Sequence, residues 1–266
     1  MSELVTLEIK NHIAYVTLNR PDKYNALSVE MFQKIIEVGE AVIEDRSIRV
    51  VVLSGNGKGF CAGLDFANFQ KLQGLEGGFS LFDRSDKTPA NIAQQVGYIW
   101  KQVPVPVIAA LHGVAFGGGL QIALGADIRL AAPDTRMSVM EIKWGLIPDM
   151  SLTQTLCDLV RLDVAKELVF TGKIIEAPEA AELGLITRVC EDPKAEAEKL
   201  AETIVGKSPD AIVQGKQLLE DAWRMDADEG LLYEETLQRK IISTPNQIEA
   251  VMANFEKRPP VFQDRE

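Results

Sequence analysis

Two glycine-containing turns carry the residue types that could hold a negatively charged oxygen. The first is Gly117-Gly118-Gly119, which follows the apolar run Val107–Leu111 and precedes Leu120, where a helix is expected to start. Backbone N–H groups at a strand–turn–helix junction of this kind can bind an oxyanion or a phosphate. A glycine triplet by itself is more typical of a tight turn, so a second feature is needed to favour a binding role.

The second turn is Phe60-Cys61-Ala62-Gly63-Leu64-Asp65, which follows the apolar residues 50–53. Its small residues allow a close turn that leaves the N–H group of Leu64 free, although a plain loop is the commoner use of such a segment. Two turns that follow two strands can direct two N–H groups at one point. That arrangement stabilises the enolate oxygen that forms from a thioester.

Two acids in apolar surroundings could transfer protons beside such an oxygen. Glu141 lies between Met140 and Ile142, and Asp149 follows Pro148. Apolar surroundings raise the pKa of a carboxyl group and suit it to general acid–base catalysis. The alternatives are a solvated loop position for Glu141 and, for Asp149, the N-cap of a following helix.

Other ligand-binding patterns do not fit the sequence. Ala115 and Phe60 stand where the GxGxxG dinucleotide pattern requires glycines, and no GxxxxGK[ST] phosphate loop occurs. The cysteines are widely spaced and there are only two histidines, so no metal site is expected. We expect free thiols in a reducing compartment. The first ten residues show no secretory signal, which favours a cytoplasmic protein.

Composition argues against two classes of partner. The 266-residue chain has a formal net charge of −11 and no basic stripe, which disfavours nucleic-acid binding. The 25 residues between Lys101 and Asp127 carry no Asp, Glu, Lys or Arg, and that length would suit a membrane span. Two prolines and five glycines interrupt the stretch. We therefore expect a buried strand, a glycine turn and a short helix there, and no membrane segment.

Strands that alternate with helices predict an α/β protein for the first part of the chain. Residues 4–9 and Ile13–Leu18 predict two strands joined by a hairpin turn at Lys10-Asn11. Ser28 is expected to cap the helix that follows.

Helices alone are predicted from residue 196 onward, at residues 196–205, 210–223, 229–241 and 247–255. We therefore divide the chain into an α/β core, residues 1–195, and a helical C-terminal region, residues 196–266. Exposed apolar faces on such helices could pack on a partner subunit or on the core of their own chain.

In order and spacing, these segments resemble the crotonase family, the enoyl-CoA hydratase/isomerase superfamily. The resemblance covers nearly the whole chain and rests on Leu18-Asn19-Arg20-Pro21, Asn25-Ala26-Leu27, the two glycine-containing turns, Ala126-Asp127, the segment from Glu141 to Pro148, Thr171-Gly172, Gly184-Leu185 and Phe255-Glu256-Lys257-Arg258. It implies an acyl-CoA substrate and a crotonase-like spiral of ββα units with a helical C-terminal trimerisation region. The family assembles as homotrimers that often pair into hexamers.

The resemblance also assigns roles to residues of this sequence. The N–H groups of Leu64 and Gly118 correspond to the family's oxyanion hole. The coenzyme A moiety is held in the family by residues that correspond to Lys23, Tyr24, Ala26, Ala62, Gly63 and Asp65. Lys257 corresponds to a basic residue that reaches a coenzyme A phosphate, often on a neighbouring subunit, and Arg20 is a weaker candidate for that contact. We expect an acyl pocket lined by Phe66, Phe69, Phe116, Gln121 and Trp144. No metal and no cofactor beyond the coenzyme A moiety of the substrate are implied.

One position departs from the family's hydratase pattern. Hydratases use two glutamates, and the first, two residues after the glycine triplet, is Gln121 here, whose amide cannot act as an acid or base. Family isomerases use one glutamate at the position of Glu141. Dienoyl-CoA isomerases add an aspartate eight residues later, which is Asp149 here, but their third acid, at position 121, is missing.

The predicted activity is therefore double-bond isomerisation of an enoyl- or dienoyl-CoA in fatty-acid or related acyl-CoA metabolism. Hydration by Glu141 alone, thioester hydrolysis and non-catalytic acyl-CoA binding are the alternatives.

Overall fold

The structure is a computed structural model that describes residues 3–65 and 80–265. Its strands are β1 Val5–Lys10, β2 Ile13–Leu18, β3 Val50–Gly55, β4 Val107–Leu111, β5 Val114–Phe116, β6 Ile128–Ala131, β7 Arg136–Ser138, β8 Ile175–Glu176 and β9 Arg188–Val189. Its α-helices are α1 Val29–Glu44, α2 Ile92–Gln102, α3 Gly118–Leu124, α4 Leu152–Thr155, α5 Leu162–Thr171, α6 Ala177–Leu183, α7 Pro193–Val205, α8 Pro209–Ala222, α9 Ala227–Ile241 and α10 Pro245–Glu256. The predicted α/β class is confirmed.

The strands form two sheets. The larger has the order β1-β2-β3-β4-β6-β9, in which β1 is antiparallel to β2 and the other neighbours are parallel. The smaller sheet joins β5, β7 and β8. β3 and β4 are parallel neighbours, and every residue of β4 is buried, as expected for a strand covered on both faces. The chain therefore leaves β3 and β4 at the same edge of the sheet, where the two glycine-containing turns lie.

Helices α1 and α2 pack on one face of the larger sheet. Ser28 caps α1 as predicted, because its side chain accepts a hydrogen bond from the N–H of Met31. Phe32 and Ile35 of α1 and Trp100 of α2 are fully buried in the same apolar core. These helices form one wall of the region into which the glycine-containing turns project.

Helix α7 covers the opposite face of the sheet. Its residues Ala197 and Ala201 are buried against Val50 and Val52 of β3. The predicted boundary after residue 195 therefore lies inside a helix that packs on the core, and the division of the chain into two regions stays a prediction.

Local turn chemistry moves some predicted boundaries. The hairpin turn consists of Asn11 and His12, with φ of +51° and +65°, and not of Lys10-Asn11, because a two-residue hairpin turn favours two left-handed residues. Proline fits the first turn of a helix, where its missing N–H would have no acceptor. Helices α7, α8 and α10 therefore start one to three residues before their predicted positions.

No helix in the described ranges is long and apolar enough to cross a lipid bilayer. The uncharged stretch before Asp127 forms the end of α2, then β4, β5 and α3. In the single chain, α8 to α10 expose large apolar side chains, among them Leu219, Trp223, Leu231, Leu232 and Phe255. The predicted trimer or hexamer stays a prediction, which light scattering on the purified protein tests.

Candidate active site

The two glycine-containing turns lie against each other. Gly63 has φ of +85°, and a Cβ atom there would lie 2.6 Å from the carbonyl oxygen of Phe116 and 3.5 Å from the nitrogen of Gly118. A side chain at position 63 would therefore be strained by the backbone and would overlap the neighbouring turn. Glycine allows the two turns to approach this closely.

The N–H group of Leu64 is free because the residues on either side of it, Gly63 and Asp65, make the hydrogen bonds to Leu27. The N–H of Leu27 donates to the carbonyl oxygen of Gly63 at 2.8 Å, and the N–H of Asp65 donates to the carbonyl oxygen of Leu27 at 3.0 Å. The N–H of Leu64 has no acceptor among residues 3–65 and 80–265. It is therefore available to a bound ligand, and its role in an oxyanion hole stays a prediction.

Gly118 supplies the second free N–H group. It is the first residue of α3, and first-turn N–H groups of a helix have no acceptor within the helix. A Cβ atom on Gly118 would lie 2.5 Å from the Sδ atom of Met150, and one on Gly119 would overlap the carbonyl oxygen of Cys61. The triplet is therefore required by close packing as well as by the turn.

A cavity of about 200 Å³ opens beside Leu64 and Gly118, which both line it. Its apolar lining includes Phe32, Leu81, Phe82, Leu146, Ile147 and Met150. Glu141 and Asp149 also line the cavity, and the described lining contains no Lys, Arg or His. Two free N–H groups and two carboxyl groups thus face one largely apolar space.

Glu141 is a half-buried acid whose two carboxyl oxygens have different surroundings. It begins a 3-10 turn, Glu141–Trp144, and its Oε1 atom accepts a hydrogen bond of 2.6 Å from the Nε2 atom of Gln121. Its Oε2 atom is buried and has no hydrogen-bond partner in the described part of the chain. Burial raises the pKa of Glu141, hydrogen bonds oppose this change, and the nearby charge of Asp149 raises the pKa further.

Asp149 does not cap a helix, which excludes the N-cap role that the sequence allowed for it. Helix α4 begins at Leu152, its N-cap residue is Ser151 in a left-handed conformation with φ of +70°, and no side chain caps it. Asp149 is exposed as a residue, but partial desolvation of its carboxyl group beside the cavity raises its pKa above the ordinary value. A proton can therefore be held or released by either acid of the cavity.

Only some of the residues predicted to line the acyl pocket lie at the cavity. Trp144 lines the cavity, whereas Gln121 and Phe116 are not among its lining residues. Gln121 lies behind Glu141 with 1% of its surface exposed, and Phe116 turns its backbone carbonyl toward Gly63. A contact of either residue with the acyl chain stays a prediction. Phe66 and Phe69 lie outside the described residues.

The segments predicted to hold coenzyme A are joined by backbone and ionic contacts. The N–H of Ala62 donates to the carbonyl oxygen of Tyr24 at 2.9 Å, which places the segment of Lys23 beside the second turn. Arg20 donates through Nη1 to the carbonyl oxygen of Ala26 at 2.9 Å and forms a 2.7 Å ion pair with Asp65. Arg20 and Asp65 thus hold this region together.

Lys257 lies away from these residues in the chain's own fold. It ends α10 in a left-handed conformation and lines a separate cleft with Lys207 and Arg258. A contact between Lys257 and coenzyme A stays a prediction.

Sequence analysis missed Met150, whose side chain packs on Gly118 and lines the cavity. The signal that could have found it is its place directly after the candidate acid Asp149. The missed link is its backbone N–H, which donates to the Oε1 atom of Gln121 at 2.9 Å.

An α/β fold with two free N–H groups and two acids around one cavity has the features of an enzyme that stabilises an oxyanion. Residues 8–265 match the family model described as enoyl-CoA hydratase/isomerase. The chain belongs to this family of the crotonase superfamily and is an acyl-CoA enzyme of the enoyl-CoA hydratase/isomerase type.

Relatives and solved structures agree with this assignment. The (E)-benzylidenesuccinyl-CoA hydratase of Thauera aromatica is 35% identical, over 97% of this chain and 98% of its own. The short-chain-enoyl-CoA hydratase of Clostridium acetobutylicum is 33% identical, over 96% of this chain and 95% of its own. A crystal structure of an enoyl-CoA hydratase from Bacillus anthracis has a TM-score of 0.86 at 28% identity, over 98% of this chain and 99% of that chain. The crotonase-like α/β fold implied by the resemblance is confirmed.

The burial of Glu141 predicts that Glu141→Gln changes stability in a pH-dependent way. An acid whose pKa is raised by folding lowers the free energy of unfolding as pH rises through the interval between its unfolded and folded pKa values. Glutamine does not titrate. The Tm of E141Q, relative to that of the native chain, should therefore increase from about pH 3 to about pH 8. Thermal unfolding followed by circular dichroism measures the difference.

Glu249→Gln is a control of opposite sign. Arg258 and the N–H of Val261 donate to Glu249 and lower its pKa to about 2. Its ionised form therefore stabilises the folded state above the pKa of an unfolded glutamate, and the relative Tm of E249Q should decrease over the same pH range. A Tm difference for E141Q that does not change with pH would contradict the burial of the acid.

Proposed function

We propose that this acyl-CoA enzyme moves a carbon–carbon double bond within the acyl chain of its substrate. The observation that carries the proposal is that Glu141 and Asp149 line one cavity with Leu64 and Gly118, while position 121 is an amide. Two carboxyl groups with raised pKa values suit the removal of a proton at one carbon and its return at another.

In the proposed reaction, the N–H groups of Leu64 and Gly118 donate hydrogen bonds to the thioester oxygen. For a 3-enoyl-CoA, Glu141 removes a proton from C2, and the negative charge spreads over the oxygen, C2 and C4 of a dienolate. A proton is returned at C4 by Glu141 or Asp149, which gives the 2-enoyl-CoA. The two N–H donors stabilise the oxygen as charge develops, on a scale of about 3 kcal/mol for one donor. These steps use no metal ion and no redox group.

The coenzyme A moiety is proposed to lie along residues 23–26 and 62–65. The hydrogen bond from Ala62 to Tyr24 places these two segments side by side at the entrance to the turn that carries Leu64. Lys257 would contact a phosphate of the coenzyme from a neighbouring subunit.

Hydration is the second candidate, because two similar relatives with named reactions are called hydratases. In that reaction, Glu141 would take a proton from water as the water oxygen adds at C3, and a proton would be delivered to C2. Gln121 lies behind Glu141, and its amide could not transfer the proton. Hydration would therefore depend on Glu141, or on Glu141 with Asp149.

Assays with three substrates test the proposal. Purified enzyme is given a 3-enoyl-CoA, a 3,5-dienoyl-CoA and a 2-enoyl-CoA of equal chain length, and products are separated by mass and retention time. We expect turnover of the 3-enoyl or the 3,5-dienoyl ester without addition of water. Turnover of the 2-enoyl ester alone would replace isomerisation by hydration. Release of free thiol would indicate hydrolysis, and binding without turnover of any ester would indicate a non-catalytic protein.

The charge of the cavity predicts a preference for uncharged acyl chains. The described residues that line the cavity include the acids Glu141 and Asp149 and no basic side chain. Like charges about 4 Å apart repel each other by about 4 kcal/mol at an effective dielectric constant of about 20. We therefore expect kcat/KM for 3-hexenedioyl-CoA to be about 100-fold or more below that for 3-hexenoyl-CoA. Equal values for this matched pair would contradict the prediction.

A further inference from the structure

Gln121 contacts both ends of the segment that carries the two acids. Its Nε2 atom donates to the Oε1 atom of Glu141 at 2.6 Å, and its Oε1 atom accepts from the N–H of Met150 at 2.9 Å. The side chain is 1% exposed and starts from the first turn of α3. One amide, held by the helix that begins at Gly118, thus joins residue 141 to residue 150.

The first contact fixes the orientation of the Glu141 carboxylate. Because its Oε1 atom is held by the amide of Gln121 and its Oε2 atom is enclosed by protein, the carboxylate of Glu141 keeps one orientation beside the cavity that it lines. The amide can only donate to Oε1, so it favours the ionised carboxylate and counteracts the effect of burial on the pKa of Glu141.

The second contact places Asp149. The N–H of Met150 belongs to the peptide bond that joins Asp149 to Met150, so its hydrogen bond to Gln121 fixes the backbone on the C-terminal side of Asp149. Asp149 lies in irregular chain between a 3-10 turn and α4, where no helix or strand fixes its position. The side chain of Gln121 therefore fixes the positions of both Glu141 and Asp149.

We propose that Gln121 is a positioning residue that fixes the orientation of the Glu141 carboxylate and the spacing between Glu141 and Asp149. The proposal rests on proton transfer by Glu141, as in the proposed function. It requires a donor and an acceptor at one position. Glutamine has both, an ionised glutamate has the acceptor alone, and a methionine of similar length has neither strong donor nor strong acceptor.

The test compares the variants Gln121→Met and Gln121→Glu with the native enzyme. Steady-state kinetics on the ester that the native enzyme turns over, measured across pH, gives kcat, KM and the acidic limb of kcat/KM. A titration of ¹³C-labelled glutamate carboxyls by NMR, with the Glu141 signal assigned by its loss in Glu141→Gln, gives the midpoint for Glu141 without any turnover.

For Gln121→Met we expect kcat to fall about 10-fold, KM to stay nearly constant, and the Glu141 midpoint and the acidic limb to move up together by about one pH unit. The shift is upward because a donor to the ionised carboxylate has been removed. For Gln121→Glu we expect a larger upward shift, because a second carboxylate then stands beside Glu141. This variant keeps the acceptor for Met150, so it serves where Gln121→Met folds poorly.

Gln95→Met is the matched control. Gln95 is also a buried glutamine with two side-chain hydrogen bonds, to Thr88 and Gln102, but it does not line the cavity of Glu141. It should lower Tm and leave the Glu141 midpoint unchanged. If the Gln121 variants behave in the same way, with lower Tm and an unchanged midpoint, the inference is overturned.

The two proposals can fail separately. A shifted midpoint in an enzyme that turns over the 2-enoyl ester alone overturns isomerisation and supports the positioning role, because hydration also needs Glu141. An unchanged midpoint in an enzyme that isomerises its substrate overturns the positioning role and supports isomerisation.

Discussion

Glu141→Gln is expected to lower kcat by about 100-fold or more, because general acid–base groups typically contribute factors of about 10² to 10⁴. Glutamine has nearly the shape of glutamate and can still accept the hydrogen bond from Gln121, but it cannot take a proton. KM should change little, because the N–H groups of Leu64 and Gly118 still bind the thioester oxygen. Steady-state kinetics on the ester identified in the three-substrate assay measures both constants.

Two further variants are needed to interpret the loss of kcat in Glu141→Gln. Glu37→Gln, on the exposed surface of α1, is the control for loss of a glutamate and should leave kcat unchanged. Asp149→Asn should lower kcat strongly if Asp149 returns the proton, and only weakly if Glu141 carries the proton between both carbons. Retention of more than about one tenth of kcat by Glu141→Gln would exclude Glu141 as the base.

Gly63→Ala is expected to remove most activity together with part of the stability. The new Cβ would lie 2.6 Å from the carbonyl oxygen of Phe116, at a residue whose φ is +85°. The turn must move away from its neighbour, which displaces the N–H of Leu64 from that of Gly118. Loss of one oxyanion donor lowers kcat by about 10² to 10³, and strain at a left-handed residue costs about 1 to 3 kcal/mol of unfolding free energy. Kinetics and urea unfolding measure the two effects.

Gly184→Ala is the matched control for Gly63→Ala. Gly184 has φ of +91°, and a Cβ atom there would overlap the carbonyl oxygen of Leu159, but the residue ends α6 and does not line the cavity. It should lose a similar free energy of unfolding and keep the kcat of the folded enzyme. Equal kcat values for the two alanine variants would contradict an oxyanion role for the turn at Gly63.

The two glycine-containing turns could be predicted from the sequence because their constraints are local. Glycine at positions 63 and 117 fits a positive φ, and the apolar runs before each turn identify buried strands. The pairing of β3 with β4 and the bridge between Cys61 and Ala115, which are contacts between distant parts of the chain, then bring the turns together. The N-cap at Ser28 was predictable for the same reason, since it depends on the next three residues.

The role of Gln121 could not be predicted in this way. Its partners, Glu141 and Met150, lie 20 and 29 residues further along the chain, in a segment of irregular backbone. Sequence alone placed Gln121 in the acyl pocket because it follows the glycine triplet, whereas its position behind Glu141 depends on how the later segment folds back. The hairpin turn at Asn11 and His12 was missed by one residue, because strand pairing decides which residues take the left-handed conformation.

The two glycine-containing turns and the two acids of the site are held in place by different parts of the structure. One backbone bridge, Cys61–Ala115, joins the turn of Leu64 to the strand before Gly117, and a second bridge joins Leu64 to Leu27. Leu27, Cys61 and Ala115 belong to the buried core. Both acids are carried by a single segment whose residues are mostly exposed, and one buried amide connects that segment to the core. Substitutions in the segment can therefore alter which carbon gains or loses a proton while the thioester is held as before. A fold arranged in this way can acquire new reactions on the same class of ester without a new scaffold.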